Sequence, residues 1–220
     1  MNVEWIETHG SDLSIVNAAR VSLYKWHSEF ITEPNGPLSS DVRLLKYLVK
    51  EGHESPFFHA GLSLRITAPI FIARQLLRSH VGMAVNEVSR RYVSSPPRIW
   101  HPDHWRQAVA GVKQGSGGAI ASWRHAVATL LYRSATAYSA WAYRLLLALG
   151  VCNEQARAVL PQGMMTTWIW TGSLAAFARV CRLRQAAEAQ AESGDIADRI
   201  STVANFHFPN AWPALMREKK

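Results

Sequence analysis

The amino-acid sequence predicts a single α+β domain, 1–220, with more helix than strand. Three observations carry that expectation. Apolar residues recur at helical spacing over several segments, two short segments alternate apolar with polar side chains, and no internal repeat or change of composition divides the 220 residues. With 48% hydrophobic and 18% charged residues the chain can bury a sizeable core, which excludes a disordered protein.

Val3 to Thr8 alternates weakly and is expected as a short strand. After Gly10, residues Leu13, Val16 and Ala19 fall at helical spacing, with Ser11 or Asp12 as N-cap. Glu33 to Pro37 reads as a turn or loop, and Ser40-Asp41 starts an amphipathic helix that carries Leu44, Leu45, Tyr47, Leu48 and Val49 and ends near Gly52. Leu62 to Ala68 alternates as a half-buried strand; Pro69 then suits the first turn of a helix that runs to Arg78 and turns Arg74, Gln75 and Arg78 outward. A loop of small residues follows. Ser94–Pro97 and Trp100–Trp105 are irregular, and Gln114–Gly118 is a flexible connection. Ile120 to Leu149 is helical until Gly150 stops it, and Asn153 caps a short helix, Glu154–Leu160, closed by Pro161. Thr166–Leu183 and Asp195–Phe206 are expected as two further helices.

Lys plus Arg number 24 against 16 acidic residues, for a net charge of +8 and a pI near 9.9. Residues 1–100 hold 11 basic and 9 acidic side chains and 101–220 hold 13 and 7, so the excess forms no basic tail. Such a balance favours anionic partners, among them nucleic acid, a membrane surface or phosphorylated small molecules. Cys152 and Cys181 cannot build a disulfide scaffold, and no Cys/His spacing resembles a zinc site, so no metal is expected. The N-terminus lacks the positive start and apolar run of a signal peptide. The longest apolar helical segment, Ala135–Leu149, contains Arg144 and is too short to span a bilayer. A cytoplasmic protein without membrane contact is expected.

The densest polar constellation runs from Arg78 to Tyr92 and includes Asn86, Glu87, Ser89, Arg90 and Arg91. Arginines offer forked donors to phosphate, while Asn, Glu and Ser can read hydroxyls and ring edges. Glu154–Pro161, with Arg157, and Leu183–Glu192, with Arg184, form a second and a third cluster. The first alone reads equally well as a solvated surface, and each arginine alone reads as a surface charge before a ligand; three clusters together favour a shared anion site.

These residues carry a resemblance that runs from about Gly10 to Gln190. The strings Asp12-Leu-Ser, Ala18-Ala-Arg-Val-Ser22, Gly52-His-Glu-Ser-Pro-Phe57 with His59, Ala68-Pro-Ile-Phe-Ile-Ala-Arg-Gln75, Asn86-Glu-Val-Ser-Arg-Arg-Tyr92, Arg157-Ala-Val-Leu-Pro161, Trp170-Thr171, Leu183-Arg184 and Ala189-Gln190 occur in order. The chain resembles the flavin-dependent thymidylate synthases, which are unrelated to the cysteine-dependent enzyme. The resemblance implies a central antiparallel sheet with flanking helices and a homotetramer with active sites between subunits. It also implies reductive methylation of a uridine nucleotide at C5 with FAD, methylenetetrahydrofolate and NADPH. Neither cysteine lies in an arginine-rich cluster, consistent with chemistry that needs no thiolate.

By the same resemblance, Gln75, Arg78, Glu87, Ser89, Arg91, Arg157 and Arg184 bind the nucleotide, and Ser89, Arg157 and Arg184 are the catalytic candidates among them. Ser22, His53, Ser55, Arg78, His80 and Asn86 fall where the family binds its flavin; His53 also reads as a histidine packed under a turn. Trp170 and Thr171 are expected in the core.

The departures are also informative. The family signature is Arg-His-Arg, seven residues, then Ser; counting back from Ser89 puts Val81 where the second Arg stands, and Arg78-Ser-His80-Val81 keeps the first Arg and the His. Ser173, Ala175, Arg179 and Glu188 replace the usual Asn, Arg, Asn and His of the later flavin-contacting segment, and Arg90 stands where a Gly is frequent. Clustered changes around a retained nucleotide site favour UMP over dUMP, as in the family branch that methylates UMP in polyoxin biosynthesis; ordinary conversion of dUMP to dTMP is the alternative. A nucleic-acid-binding module is the non-enzymatic alternative, suggested by the charge and by Tyr92, Trp100 and Trp105 near arginines, and opposed by the scatter of that charge.

Overall fold

In the computed structural model, which describes residues 1–31, 40–111 and 115–217, an antiparallel sheet is built from β1 (Asn2–His9), β2 (Gly61–Pro69), β3 (Met83–Glu87) and β4 (Met165–Ser173) in the order β1-β2-β4-β3. Around it lie α1 (Asp12–Arg20), α2 (Ser40–Lys50), α3 (Ile70–Leu77), α4 (Ser122–Ala148), α5 (Asn153–Ala156), α6 (Leu174–Arg184), α7 (Ala191–His207) and α8 (Ala211–Met216). The Glu33–Pro37 turn lies outside the described residues.

The period-2 alternation of β2 and β4 decides the layering. Leu62, Leu64, Ile66 and Ala68 of β2 and Trp168 and Trp170 of β4 point to one face, each at most 1% exposed, and join Ile72, Phe177 and Ile200 from the covering helices in the core. Burial of each such aliphatic side chain contributes about 1.5–3 kcal/mol. The other face is polar. Ser63 Oγ meets Thr171 Oγ1 at 2.9 Å and His9 Nε2 at 3.0 Å, Thr67 meets Thr167 at 2.9 Å, and Arg65 pairs with Glu4. Gly61 lets β2 and β4 approach closely, because a Cβ there would collide with the Gly172 carbonyl.

Two segments differ from expectation. Thr166–Ser173 is strand, and only the part from Leu174 to Arg184 is helix. Apolar runs fit a buried helix or a buried strand equally by period, and β-branched and aromatic Thr166-Thr-Trp-Ile-Trp-Thr171 favours the pleated surface. The small-residue loop after Arg78 contains β3, a five-residue edge strand completed by pairing with β4. Short strands depend on their neighbours.

Smaller corrections concern the helix ends. Ser11 caps α1 in a capping box with Ser14, whereas the Asp12 carboxylate accepts from Asn210 N, Asn210 Nδ2 and Ala211 N and so holds the start of α8. Cys152, not Asn153, is the N-cap of α5, and the Asn153 amide reaches the Arg91 carbonyl instead. Thr171 lies half-buried on the polar face rather than in the core, while Trp170 is fully buried against Phe177. Among the described residues, no helix is long and apolar enough to cross a membrane.

Candidate active site

One group of predicted residues assembles where α3, α6 and α7 converge. α6 is capped at its start by Ser173, whose side chain accepts from Ala176 N, and runs back past the end of α3. At its last turn Arg184 donates from Nη2 to the Gln75 carbonyl at 2.7 Å. The Gln75 side-chain oxygen accepts in turn from the hydroxyl of Ser193, which is fully buried on α7. Gln75 is thereby turned inward, not outward, while Arg74 and Arg78 are exposed as expected. Arg184 Nε is buried and has no protein partner among the described residues. Burial, and then the positive charge of Arg78, pull the Arg184 pKa below the usual guanidinium value. Two cations act on one another at this spot, a disposition relieved by a bound anion.

A second group lies beyond β3. Glu87 ends the strand, and its Oε1 accepts from the Thr166 hydroxyl at 2.6 Å, which fixes one side of the carboxylate. Ser89 follows a backbone bond from Val88 N to Thr167 O at 2.9 Å. Its Oγ accepts from the backbone N–H and Nε of Arg91, at 3.3 and 3.2 Å, so its own hydrogen stays available for donation. Arg91 stacks its guanidinium 5.1 Å from the Tyr92 ring centre, and Asn153 ties the Arg91 carbonyl to α5. Arg157, just past α5, donates from Nε to the Glu154 carbonyl at 3.3 Å and is exposed. Gln75, Arg78 and Arg184 thus belong to one group and Glu87, Ser89, Arg91 and Arg157 to another, each held by different elements.

The residues matched to flavin binding are spread more widely. His53 and Ser55 are exposed at a 3₁₀ turn, Ser55–Phe58, which packs on α1 and α6; His53 lies beside Tyr47 rather than under a turn. Arg78 and His80 are exposed at the end of α3, where His80 Nδ1 contacts the Leu77 carbonyl at 3.2 Å. Ser22 is exposed after α1, its hydroxyl bonded to the Ala19 carbonyl, and Asn86 is exposed on β3, opposite Ile169. Exposed cations, hydroxyls and amides are the donor set that suits a pyrophosphate-bearing cofactor. Among the described residues no three His, Cys, Asp or Glu side chains converge as metal ligands.

Sequence reasoning missed Ser193 and Thr166, the hydroxyls that orient Gln75 and Glu87. Neither sits in an arginine-rich string, and only the tertiary packing brings them within reach.

Comparison with known proteins places this architecture. The family described as thymidylate synthase complementing protein matches residues 5–210, and the chain belongs to that family. It is 35% identical over 212 residues to the flavin-dependent thymidylate synthase of Thermus thermophilus, covering 96% of this chain and 74% of that one. The Thermosipho africanus flavin-dependent thymidylate synthase is 32% identical, covering 96% and 89%. Among solved structures, the UMP/dUMP methylase PolB from Streptomyces cacaoi bound with 5-Br UMP superposes with a TM-score of 0.84 at 28% identity, over 98% of this chain and 93% of that one. The chain is therefore an enzyme with the flavin-dependent thymidylate synthase fold.

Proposed function

We propose that this enzyme methylates C5 of a uridine monophosphate, with UMP preferred and dUMP the alternative. The observation that carries the proposal is the pairing of Arg78 with Arg184, whose buried Nε faces no protein acceptor among the described residues. A nucleotide phosphate or a pyrimidine carbonyl supplies that acceptor.

Gln75, Arg78, Glu87, Ser89, Arg91, Arg157 and Arg184 hold the nucleotide. Ser89 donates its free O–H, the Glu87 carboxylate accepts from a substrate hydroxyl or ring N–H, and Arg157 and Arg184 stabilise negative charge as it develops on the activated ring. Ser22, His53, Ser55, Arg78, His80 and Asn86 hold FAD. When bound, reduced FAD supplies the hydride that takes a one-carbon unit from methylenetetrahydrofolate to methyl, and NADPH reduces the flavin again. This chemistry calls for no thiolate; Cys181 is unsuited to be one, being fully buried with its pKa pushed up by burial and then by Asp198.

The two residue groups meet across a subunit interface in a homotetramer, with residues 1–220 folded as one domain. Supporting this, α4 buries only Thr136 and Tyr143 over 27 residues, while Trp123, Leu130, Leu131 and Tyr138 stay about two-thirds exposed. Such an apolar helix in a monomer is an unfilled contact. Tritium release from C5 of UMP and dUMP, followed in parallel with FAD, methylenetetrahydrofolate and NADPH, tests the proposal. Faster release from UMP is expected. A large preference for dUMP makes the protein an ordinary thymidylate synthase, and release from neither overturns the methylation.

A further inference from the structure

α6 sends one guanidinium group to α3 and another to the segment that joins α3 to β3. Arg184 holds the Gln75 carbonyl at 2.7 Å, and Arg179, more than a helical turn earlier, donates from Nη2 to the Val81 carbonyl at 2.5 Å. Arg78 and His80 lie between these anchors. Their backbone is otherwise a short exposed turn, with Met83 N bonded to His80 O at 3.0 Å and Gly82 at φ +75°. A peptide unit is planar, so when the Val81 carbonyl is drawn toward α6 the Gly82 N–H of the same unit points away from it. Arg179 also lines a small cavity of about 40 Å³ with Glu54, Phe57 and Ala175, and Glu54 precedes Ser55 in the chain. One arginine therefore holds the turn after His80, at Val81, and borders Glu54 and Phe57 at the start of the Ser55–Phe58 turn, two segments far apart in sequence.

We infer that Arg179 is a positioning residue for the flavin: it fixes the Ser79–Gly82 turn and with it the direction of His80. The inference rests on the proposal above that His80 contacts FAD. It also accounts for a departure in the sequence, since the turn that lacks the second signature arginine, at Val81, receives a guanidinium from another element. The side chain is exposed and its partner is a backbone carbonyl, so the role is geometric and needs one donor at that place rather than a buried charge.

The test uses the full chain and titrates FAD by quenching of its fluorescence, with UMP affinity and the melting temperature measured on the same samples. Arg179→Met removes the donor and keeps the length, and Arg179→Lys keeps one donor. Loss of one charge-assisted hydrogen bond weakens FAD binding about tenfold in Arg179→Met. Arg179→Lys stays within about threefold of the wild type, and UMP affinity moves less than about threefold in both. Arg179→Met binding FAD as tightly as the wild type overturns this inference alone, and so does equal weakening of FAD and UMP. A wild-type protein that binds no FAD overturns the proposed function and this inference together.

Discussion

Replacing Arg184 by lysine keeps the charge and removes the fork, which makes it the sharpest probe of the nucleotide site. In the folded chain one arm of the guanidinium is committed to the Gln75 carbonyl at 2.7 Å, while Nε is buried with no partner among the described residues. A lysine ammonium satisfies either the Gln75 carbonyl or a nucleotide oxygen, not both in the same geometry. One charge-assisted bond is worth about 1.5–3 kcal/mol, so Arg184→Lys is expected to weaken UMP and dUMP binding about 10- to 150-fold. Ligand-free stability is expected to change little, because without a nucleotide the lysine ammonium is free to donate to the Gln75 carbonyl in place of the guanidinium. Isothermal titration with each nucleotide, together with a thermal melt, reads both quantities. Binding within twofold of the wild type refutes the assignment. A large loss of stability with unchanged affinity instead makes Arg184 a purely structural strap.

Removing the Thr166 hydroxyl with Thr166→Val leaves the Glu87 carboxylate without its 2.6 Å donor, and a rise in nucleotide KM of about 5- to 30-fold with little change in kcat is expected; an unchanged KM separates Glu87 from the substrate. Asp41 is fully buried and pairs with Arg20. Burial raises its pKa, but the hydrogen bonds from Arg20 and the Ile31 N–H prevail and hold it below the usual carboxylate value. A depressed carboxylate contributes stability that is present above its unfolded value, near 3.9, and lost as pH falls through the folded one. Asp41→Asn is therefore expected to cost about 2–4 kcal/mol at pH 7 and to flatten the fall in stability below about pH 4, as read by urea unfolding at a series of pH values. Exposed Cys152 is expected to react with a thiol reagent in the native protein and buried Cys181 only after unfolding. C5 tritium release by a Cys152→Ser/Cys181→Ala variant should persist, and its abolition implicates a thiol.

Most of the helices were legible because their signals are local. Ser11 before α1, the apolar stripe of α2 and Gly150 after α4 each act within one or two turns of the chain, and the structure keeps all three. β4 was not legible as a strand, since Trp168, Ile169 and Trp170 are apolar on both faces and hide the alternation that identifies one. β3 escaped for the opposite reason: five residues carry too little pattern, and their pairing with Gly172–Trp168 exists only in the folded sheet. The arginines of the nucleotide clusters were visible as residue types, but the bond from Arg184 to Gln75, 109 positions away, was not.

The sequence by itself determined the α+β class, the family, and which side chains could bind an anion, because composition, periodicity and ordered motifs are written residue by residue. Tertiary structure decided how those side chains are used. Packing of α7 against both α3 and α6 brings Ser193 to Gln75, and side chains reaching from α6 commit Arg184 to the Gln75 carbonyl and let Arg179 hold the turn where Val81 offers no charge of its own. Hydrogen bonds require donors and acceptors within about 3 Å, a condition that sequence spacing does not contain and that only the folded chain meets.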